Sequence, residues 1–535
     1  MSSTDWNLAT MWEAVADAIG DAPALQHRDL ERTWSEFDER AARWAAVLGE
    51  FGAGHDSKVG LYLYNGPEYL EATYGCFKAR SVPVNVNYRY TEHELRYLLE
   101  NSDAEVVLVD SSFAAHLDAI RDDLPLLRGI VQVGEGPLVP GALRYEEALA
   151  AAEPAPRIGR SVDDLWFLYT GGTTGMPKGV MWPQGNLYAT GAATFKGLRQ
   201  PFPETPADVG ATARVVRDAG IAPVMLPAAP LMHGTSAIAS WGALSAGGTI
   251  TTLGCRHLDA VELVETIAAR RVTNLVIVGD AFAKPIIAAI EERPDLDLSC
   301  LQIVISSGVM WSQPVKDALL AHLDVVLADL VGSSEGVGAA SSVAKRGRSI
   351  GTARFRLGEN SRVFTEDGRE VEPGSGERGV IAIGGPIPIG YYKDPEKSAG
   401  TFRTFGGRVW SVPGDFATVD DDGSIRLLGR GSVCINTAGE KVFPEEVEET
   451  LKTHPSVIDA NVVGIPDEKW GAAVSAVVSA GSERPTVEEL VSHCRATLAG
   501  YKCPKHIVFV DAVRRGPNGK ADYRWAAEQV AAALA

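Results

Sequence analysis

The chain has 535 residues, 45% of them hydrophobic and 22% charged, which is core enough for several domains. Its formal charge of −19 excludes the global basic field that nucleic acid requires, so any anionic ligand has to be held by local donors. Six scattered cysteines without a Cys-x-x-Cys pair, an acidic start (Asp5, Glu13, Asp17) unlike a signal peptide, and no integral membrane segment of 18 apolar residues point to a reduced, cytoplasmic protein without structural zinc.

Helix and strand patterns alternate through the first third. Residues 58–64 read as a strand, 67–79 as a helix and 82–86 as a strand. Thr91 with Glu94 forms a capping box for a helix to residue 100, and 104–109 is a buried strand. A run of apolar residues, Leu165-Trp166-Phe167-Leu168-Tyr169, then empties into a Gly- and Thr-rich loop. A second alternating block spans 186–330, with strands at 272–278, 301–306 and 325–330. Such alternation predicts parallel sheets with helical crossovers. Within this block, 201–220 has no clear periodicity and reads as a loop, either mobile near a site or an ordinary surface insertion.

Between 351 and 430 the texture changes to short β runs broken by Asp367-Gly368 and Asp422-Gly423 turns, predicting a small antiparallel barrel or sheet. The last hundred residues read as a compact α+β unit. Its helix at 444–452 is followed by strands at 458–464 and 473–480, a helix capped by Thr486 and Glu489, and a strand at 506–510.

The loop after the strand is Thr170-Gly171-Gly172-Thr173-Thr174-Gly175-Met176-Pro177-Lys178-Gly179. Glycines let backbone N–H groups turn inward, hydroxyls add donors and Lys178 supplies a point charge, which are the parts needed to wrap a polyphosphate. It is not a Walker loop, since Met176 and Pro177 precede the lysine and no Ser or Thr follows it.

Further segments carry chemistry in the same order: Pro230-Leu231-Met232-His233-Gly234, Gly332-Ser333-Ser334-Glu335, Gly414-Asp415 before Gly429-Arg430, Gly439-Glu440-Lys441-Val442-Phe443-Pro444, and Pro517-Asn518-Gly519-Lys520. Taken singly, each has an ordinary reading. Lys520 is a solvated terminal lysine, Glu335 a strand-end acid, Asp415 a turn residue and His233 a core histidine.

Together and in this order they resemble the adenylate-forming superfamily of acyl-CoA synthetases, luciferases and peptide-synthetase adenylation domains, over essentially the whole chain. The resemblance implies an α/β fold. A large N-terminal domain, 1–430, would hold two doubly wound α/β subdomains (1–185 and 186–350) and a small β-barrel-like subdomain (351–430). A small mobile α+β C-terminal domain, 431–535, would follow.

The resemblance also implies an ATP-dependent acyl-CoA ligase that forms an acyl-adenylate and then a CoA thioester, with ATP, CoA, Mg²⁺ and a small carboxylic acid as its molecules. A homodimer is compatible with this and no nucleic acid is expected. Lys520 would bridge the carboxylate and α-phosphate, Glu335 with Thr174 would hold Mg²⁺, and His233 would stand near the substrate carboxylate. Phosphates and nucleotide would fall to Thr170–Gly175, Lys178, Ser307, Gly308, Asp329, Val331, Gly332, Ser333, Ser334, Asp415 and Arg430. Gly439 would admit the CoA thiol, and Lys441 would be a further cofactor-binding residue. Residues 430–432 would be the hinge.

Four positions depart from the usual pattern: Val331 where an aromatic commonly stacks on adenine, Ser432 where an Asp or Lys hinge is frequent, and Val433 and Asn436 where an acid and a base often occur. Small residues follow His233 (Gly234, Thr235, Ala237, Ala239, Gly242, Ala243). They either line a roomy acyl tunnel or permit tight helix packing. Segments 273–282 and 430–448 resemble a bacterial subgroup that activates long-chain and steroid side-chain acids. Two other readings stay open: transfer of the acyl group to a carrier-protein thiol, and a catalytically silent acyl-binding homologue.

Overall fold

Two large sheets form the body of the molecule, a computed structural model that describes residues 5–534 apart from 173–174, 310, 348–353, 438–439, 468–470 and 517–519. The eight-stranded sheet has a parallel centre. Lys58–Tyr62 lies between Val82–Asn85 and Ala104–Asp110, and Gly129–Val133 extends the run. These strands are buried on both faces, as parallel strands under helical crossovers must be. Leu165–Gly172 joins Val82–Asn85 in parallel and turns back as Gly175–Pro183, antiparallel to itself.

A second sheet of fifteen strands begins with parallel members: Thr249–Thr252, Val224–Pro227, Asn274–Ile277, Ile303–Ser307 and Val326–Ser333. Two early strands, Pro23–His27 and Leu30–Thr33, are on the far edge of this sheet, so the start of the chain serves the second layer. At Val326–Ser333 the chain reverses into Gly336–Ala344. From there the β runs of 354–430 continue the same sheet antiparallel, through Arg354–Leu357, Ser424–Arg430, Asp415–Val419 and Arg378–Ile383.

The segment 201–220, expected to be a loop, contains the helix Pro206–Asp218. Thr205 and Asp208 cap each other's backbone and Pro206 fills the first turn, where its missing N–H costs nothing. Val209, Ala213 and Val216 recur at helical spacing and are fully buried, and the helix packs on Leu8–Ile19.

At the C-terminal end, Val457–Asp467 and Gly471–Ala480 make a long hairpin, and His506–Val510 joins it in parallel. The helices Pro444–Lys452, Val487–Arg495 and Tyr523–Leu534 cover it. Its core of Val447, Leu451, Val462, Val474, Ala476 and Leu490 is separate from those beneath the two large sheets. Among the described residues no helix is long and apolar enough to cross a membrane.

Candidate active site

A cavity of about 1070 Å³ opens where the C-terminal ends of both parallel sheets meet the small C-terminal unit. This is where open α/β sheets place their ligands. His233, Ser307, Gly308, Asp329, Val331, Glu335, Asp415 and Lys520 all line it. Residues distant in sequence thus converge on one crevice.

Two asparagines, half-buried Asn65 and buried Asn85, fix the segment that carries His233. Asn65 donates to the carbonyls of Pro227 and Ala229 at 3.2 and 3.1 Å and accepts from the Leu231 N–H at 2.7 Å. Asn85 donates to the carbonyls of Tyr169 and Met232 at 2.9 and 2.7 Å and accepts from the Tyr169 N–H. The second residue therefore ties the strand feeding the Gly/Thr loop to the histidine turn. Sequence reading passed over it, although a polar residue inside Val82-Pro83-Val84-Asn85-Val86 is the kind of interruption that signals such a role.

His233 opens the helix Gly234–Ser245. Its imidazole is pushed down to about 4, chiefly by burial and then by the positive charges of Lys520 and Arg89. The ring is therefore neutral at ordinary pH. His233 and Lys520 both line the crevice.

Glu335 is aimed by its surroundings. The Tyr391 hydroxyl donates to one carboxylate oxygen at 2.7 Å, and the Ser333 hydroxyl accepts from the Glu335 N–H at 3.2 Å. Trp182 donates to the Ser334 carbonyl at 2.9 Å, pinning the turn to the hairpin strand. Among the described residues no group of three or more His, Cys, Asp or Glu could hold a metal ion by itself. A lone, hydrogen-bonded carboxylate in a phosphate-sized crevice fits Mg²⁺, which keeps waters and shares phosphate oxygens. Thr174, the other expected ligand, lies outside the described residues, as do Thr173 and Gly439.

Thr170, Ser333, Ser334 and Gly332 also face the cavity. Gly171, Gly172 and Gly175 shape the hairpin end, where Gly172 pairs with Gly175. Lys178 departs from expectation. It is not among the residues that line the crevice, and its ammonium pairs with Asp394 at 3.1 Å and rests over the Tyr391 ring. Asp329 faces the cavity yet is held by buried Lys316 at 2.6 Å, and burial raises its carboxyl against that pairing. Asp415 and Arg430 are cross-strand partners, and Lys441 pairs with Asn436 in the short hairpin of Ile435–Thr437 and Glu440–Val442.

The small residues beyond His233 divide. Gly234, Thr235 and Ala239 line the cavity. Gly242 does not, since a Cβ there would meet the Thr194 hydroxyl at 2.8 Å. It is a packing glycine, covered by the helix Ala192–Gly197.

The whole architecture matches solved acid-activating enzymes. An anthranilate CoA ligase, AuaEII, in complex with anthranoyl-AMP superposes with a TM-score of 0.84 at 23% identity, over 99% of this chain and 98% of that one. ATP-bound MatB from Rhodopseudomonas palustris gives 0.80 at 23% identity, over 97% and 98%. The likeness fixes the fold, two large α/β sheets followed by a small α+β unit.

The AMP-binding enzyme family matches residues 12–392 and the AMP-binding enzyme C-terminal domain matches residues 446–520. The chain is 42% identical to a medium/long-chain-fatty-acid–CoA/3-oxocholest-4-en-26-oate–CoA ligase of Mycobacterium tuberculosis, covering 98% of this chain and 96% of that protein. To a 3-oxocholest-4-en-26-oate–CoA ligase of Rhodococcus rhodochrous it is 39% identical, over 98% and 96%. The chain belongs to the AMP-binding enzyme family. It is an acid–thiol ligase, of a class that uses ATP, CoA and Mg²⁺.

Proposed function

We infer that the enzyme activates a hydrophobic carboxylic acid, of fatty, branched or steroid side-chain type, as its acyl-adenylate. It then transfers the acyl group to the CoA thiol with release of AMP. The observation that carries this reading is the single crevice shared by His233, Glu335, Asp415 and Lys520 beside the small-residue wall of Gly234, Thr235 and Ala239. The fatty-acid and steroid-acid CoA ligases at 39–42% identity support the acid class.

A carboxylate attacking the α-phosphorus gathers negative charge in the transition state, which fixed cations and donors stabilise. Lys520 is the cation for that position. Neutral His233 orients the carboxylate by hydrogen bonding without competing for the lysine's role. Asp415 accepts from the ribose hydroxyls, and Ser334 donates toward the α-phosphate. Glu335 would hold Mg²⁺, which when bound draws charge from the phosphates.

The division into 1–430 (1–185, 186–350 and 351–430) and 431–535 is part of the proposal. The last unit would swing about 430–432 to exchange Lys520 for the Gly439 segment before thioester formation. A cytoplasmic setting belongs to it as well, supported by the need for ATP and CoA and by six cysteines that form no disulfide among the described residues. The homodimer is a separate matter for light scattering.

The deciding assay incubates the protein with ATP, Mg²⁺, CoA and a panel of acids and follows AMP and acyl-CoA by mass spectrometry. AMP without thioester at saturating CoA would redirect the reading to a carrier-protein thiol. Absence of AMP and of pyrophosphate exchange with every acid would mean a silent homologue.

A further inference from the structure

Resting on that reading, we propose that the acyl cavity opens to solvent at its far end, and that the ion pair Lys196–Glu359 is a latch across this opening that sets how long an acid the enzyme accepts. The near end is fixed by His233 at the start of the helix Gly234–Ser245. At 1.5 Å per residue, Gly242 lies about 12 Å beyond Gly234 along that helix. At this depth the helix abuts Thr194, which lines the cavity.

The opposite wall is the turn at 358–360. It is anchored by the Gly358 N–H to the Ala339 carbonyl at 2.9 Å, and by the Gly384 N–H to the Asn360 carbonyl at 2.8 Å. Ala193 on the helix side and Glu359 and Asn360 on the turn side all line the cavity and are all solvent-exposed. A wall made of exposed residues on both sides is a mouth.

Across that mouth the Lys196 ammonium meets the Glu359 carboxylate at 3.0 Å, with the two side chains 80% and 87% exposed. The helix Ala192–Gly197 follows the hairpin of the eight-stranded sheet, whereas 358–360 joins two strands of the fifteen-stranded one. The pair therefore bridges elements of separate sheets, at the seam where a long tail would leave. An ion pair so exposed is weak and salt-screened, so it is suited to yield to a tail that outgrows the cavity while disfavouring its passage.

The test compares octanoate, palmitate and lignocerate by kcat/KM in the full-length enzyme, for the wild type, Lys196→Glu, Glu359→Lys and the double exchange. Each single reversal replaces attraction by repulsion and should raise the lignocerate-to-octanoate ratio about fivefold, the factor an exposed pair's energy corresponds to. The double exchange should restore the wild-type ratio, and added salt should move the wild type toward the single variants. Unchanged ratios in both single variants, or a double exchange that fails to restore, would overturn the latch. Octanoate separates this from the underlying reading. A wild type that forms no acyl-CoA from any of the acids rejects the proposed function, while normal octanoate turnover with unmoved ratios rejects only the latch.

Discussion

Replacing Gly242 by alanine separates packing from lining at the acyl cavity. The new Cβ would stand 2.8 Å from the Thr194 hydroxyl and 3.9 Å from the Gly191 Cα, so only the threonine is crowded, about 0.6 Å inside ordinary contact. Thr194 relieves this by turning its side chain, and the space open to it is the cavity it lines. Alanine in a helix interior gains about 0.5–1 kcal/mol over glycine, which offsets an overpacking cost of about 1 kcal/mol. The thermal midpoint should therefore stay within a few degrees of wild type, while the cavity narrows by roughly one methyl-sized group. Such a change in an apolar pocket discriminates by about 1–3 kcal/mol, a factor of about ten or more in kcat/KM. Hexanoate, ending short of Gly242, should keep its rate, and a steroid side-chain acid should lose it. The assay is acyl-CoA formation for the two acids, and Gly242→Ala with Thr194→Ala should recover the bulky one. Equal loss for both acids, or a double variant no better than the single, would refute the reasoning.

Lys520→Ala should lower acid-dependent pyrophosphate exchange by at least about a hundredfold, the loss typical of one transition-state charge donor. Thioester formation from supplied acyl-adenylate should hold within a few-fold, and equal loss of both half-reactions would contradict the exchange of surfaces. Glu448 is buried, accepts from the Val462 N–H at 2.8 Å, and is pushed up to about 8, first by burial and then by Glu445. A raised carboxyl stabilises the fold fully below its ordinary value of 4.5 and loses that contribution as pH rises through about 8. Urea denaturation should therefore find Glu448→Gln more stable than wild type at about pH 9, by on the order of a few kcal/mol, and similar at about pH 5. The same difference at both pH values would dismiss the shift. His233 has the opposite sign. The unfolded chain takes up its proton near 6.5 and the folded site only near 4, so this group's contribution falls as pH drops across that window. A His233 resonance titrating near 6.5 in NMR of the folded enzyme would refute its burial beside Lys520.

Much of the frame was legible because local chemistry and tertiary demand agree. The strand after residue 58, the capped helix after Thr91 and the hairpin near 458–480 stand within a few residues of their expected places. The helix Pro206–Asp218 was missed because Asp208 does the capping work usually done by glutamate, and because Arg214, Arg217 and Asp218 dilute a short apolar stripe. The motifs named the crevice-lining residues well but not their partners. Lys178 sits in a phosphate-loop sequence, yet its neighbour is Asp394, brought by a strand more than two hundred residues later. No periodicity encodes such a contact. Gly242 likewise reads the same as Gly234 in sequence, and only the position of Thr194 decides that one packs and the other lines.

The pairing of these lysines bears on how the reaction is driven. A chain with net charge −19 must bind a polyanion through local groups. Besides Lys520, Lys284 and Lys452 line the crevice, the first donating to the Ile458 carbonyl at 3.1 Å and the second paired with Glu449, while Lys178 and Lys316 are each held by an aspartate. Under the proposed function, phosphate recognition by the large lobe would fall on backbone N–H groups, the hydroxyls of Thr170, Ser333 and Ser334, and the ion that Glu335 would hold. Lys520 brings a further cation to the crevice from the small lobe. Withdrawing that lobe after adenylate formation would remove the proposed cation from the α-phosphate position. Under the proposed swing, a lysine built into the large lobe's crevice, in place of Val331 for example, should slow the overall turnover while sparing the first half-reaction.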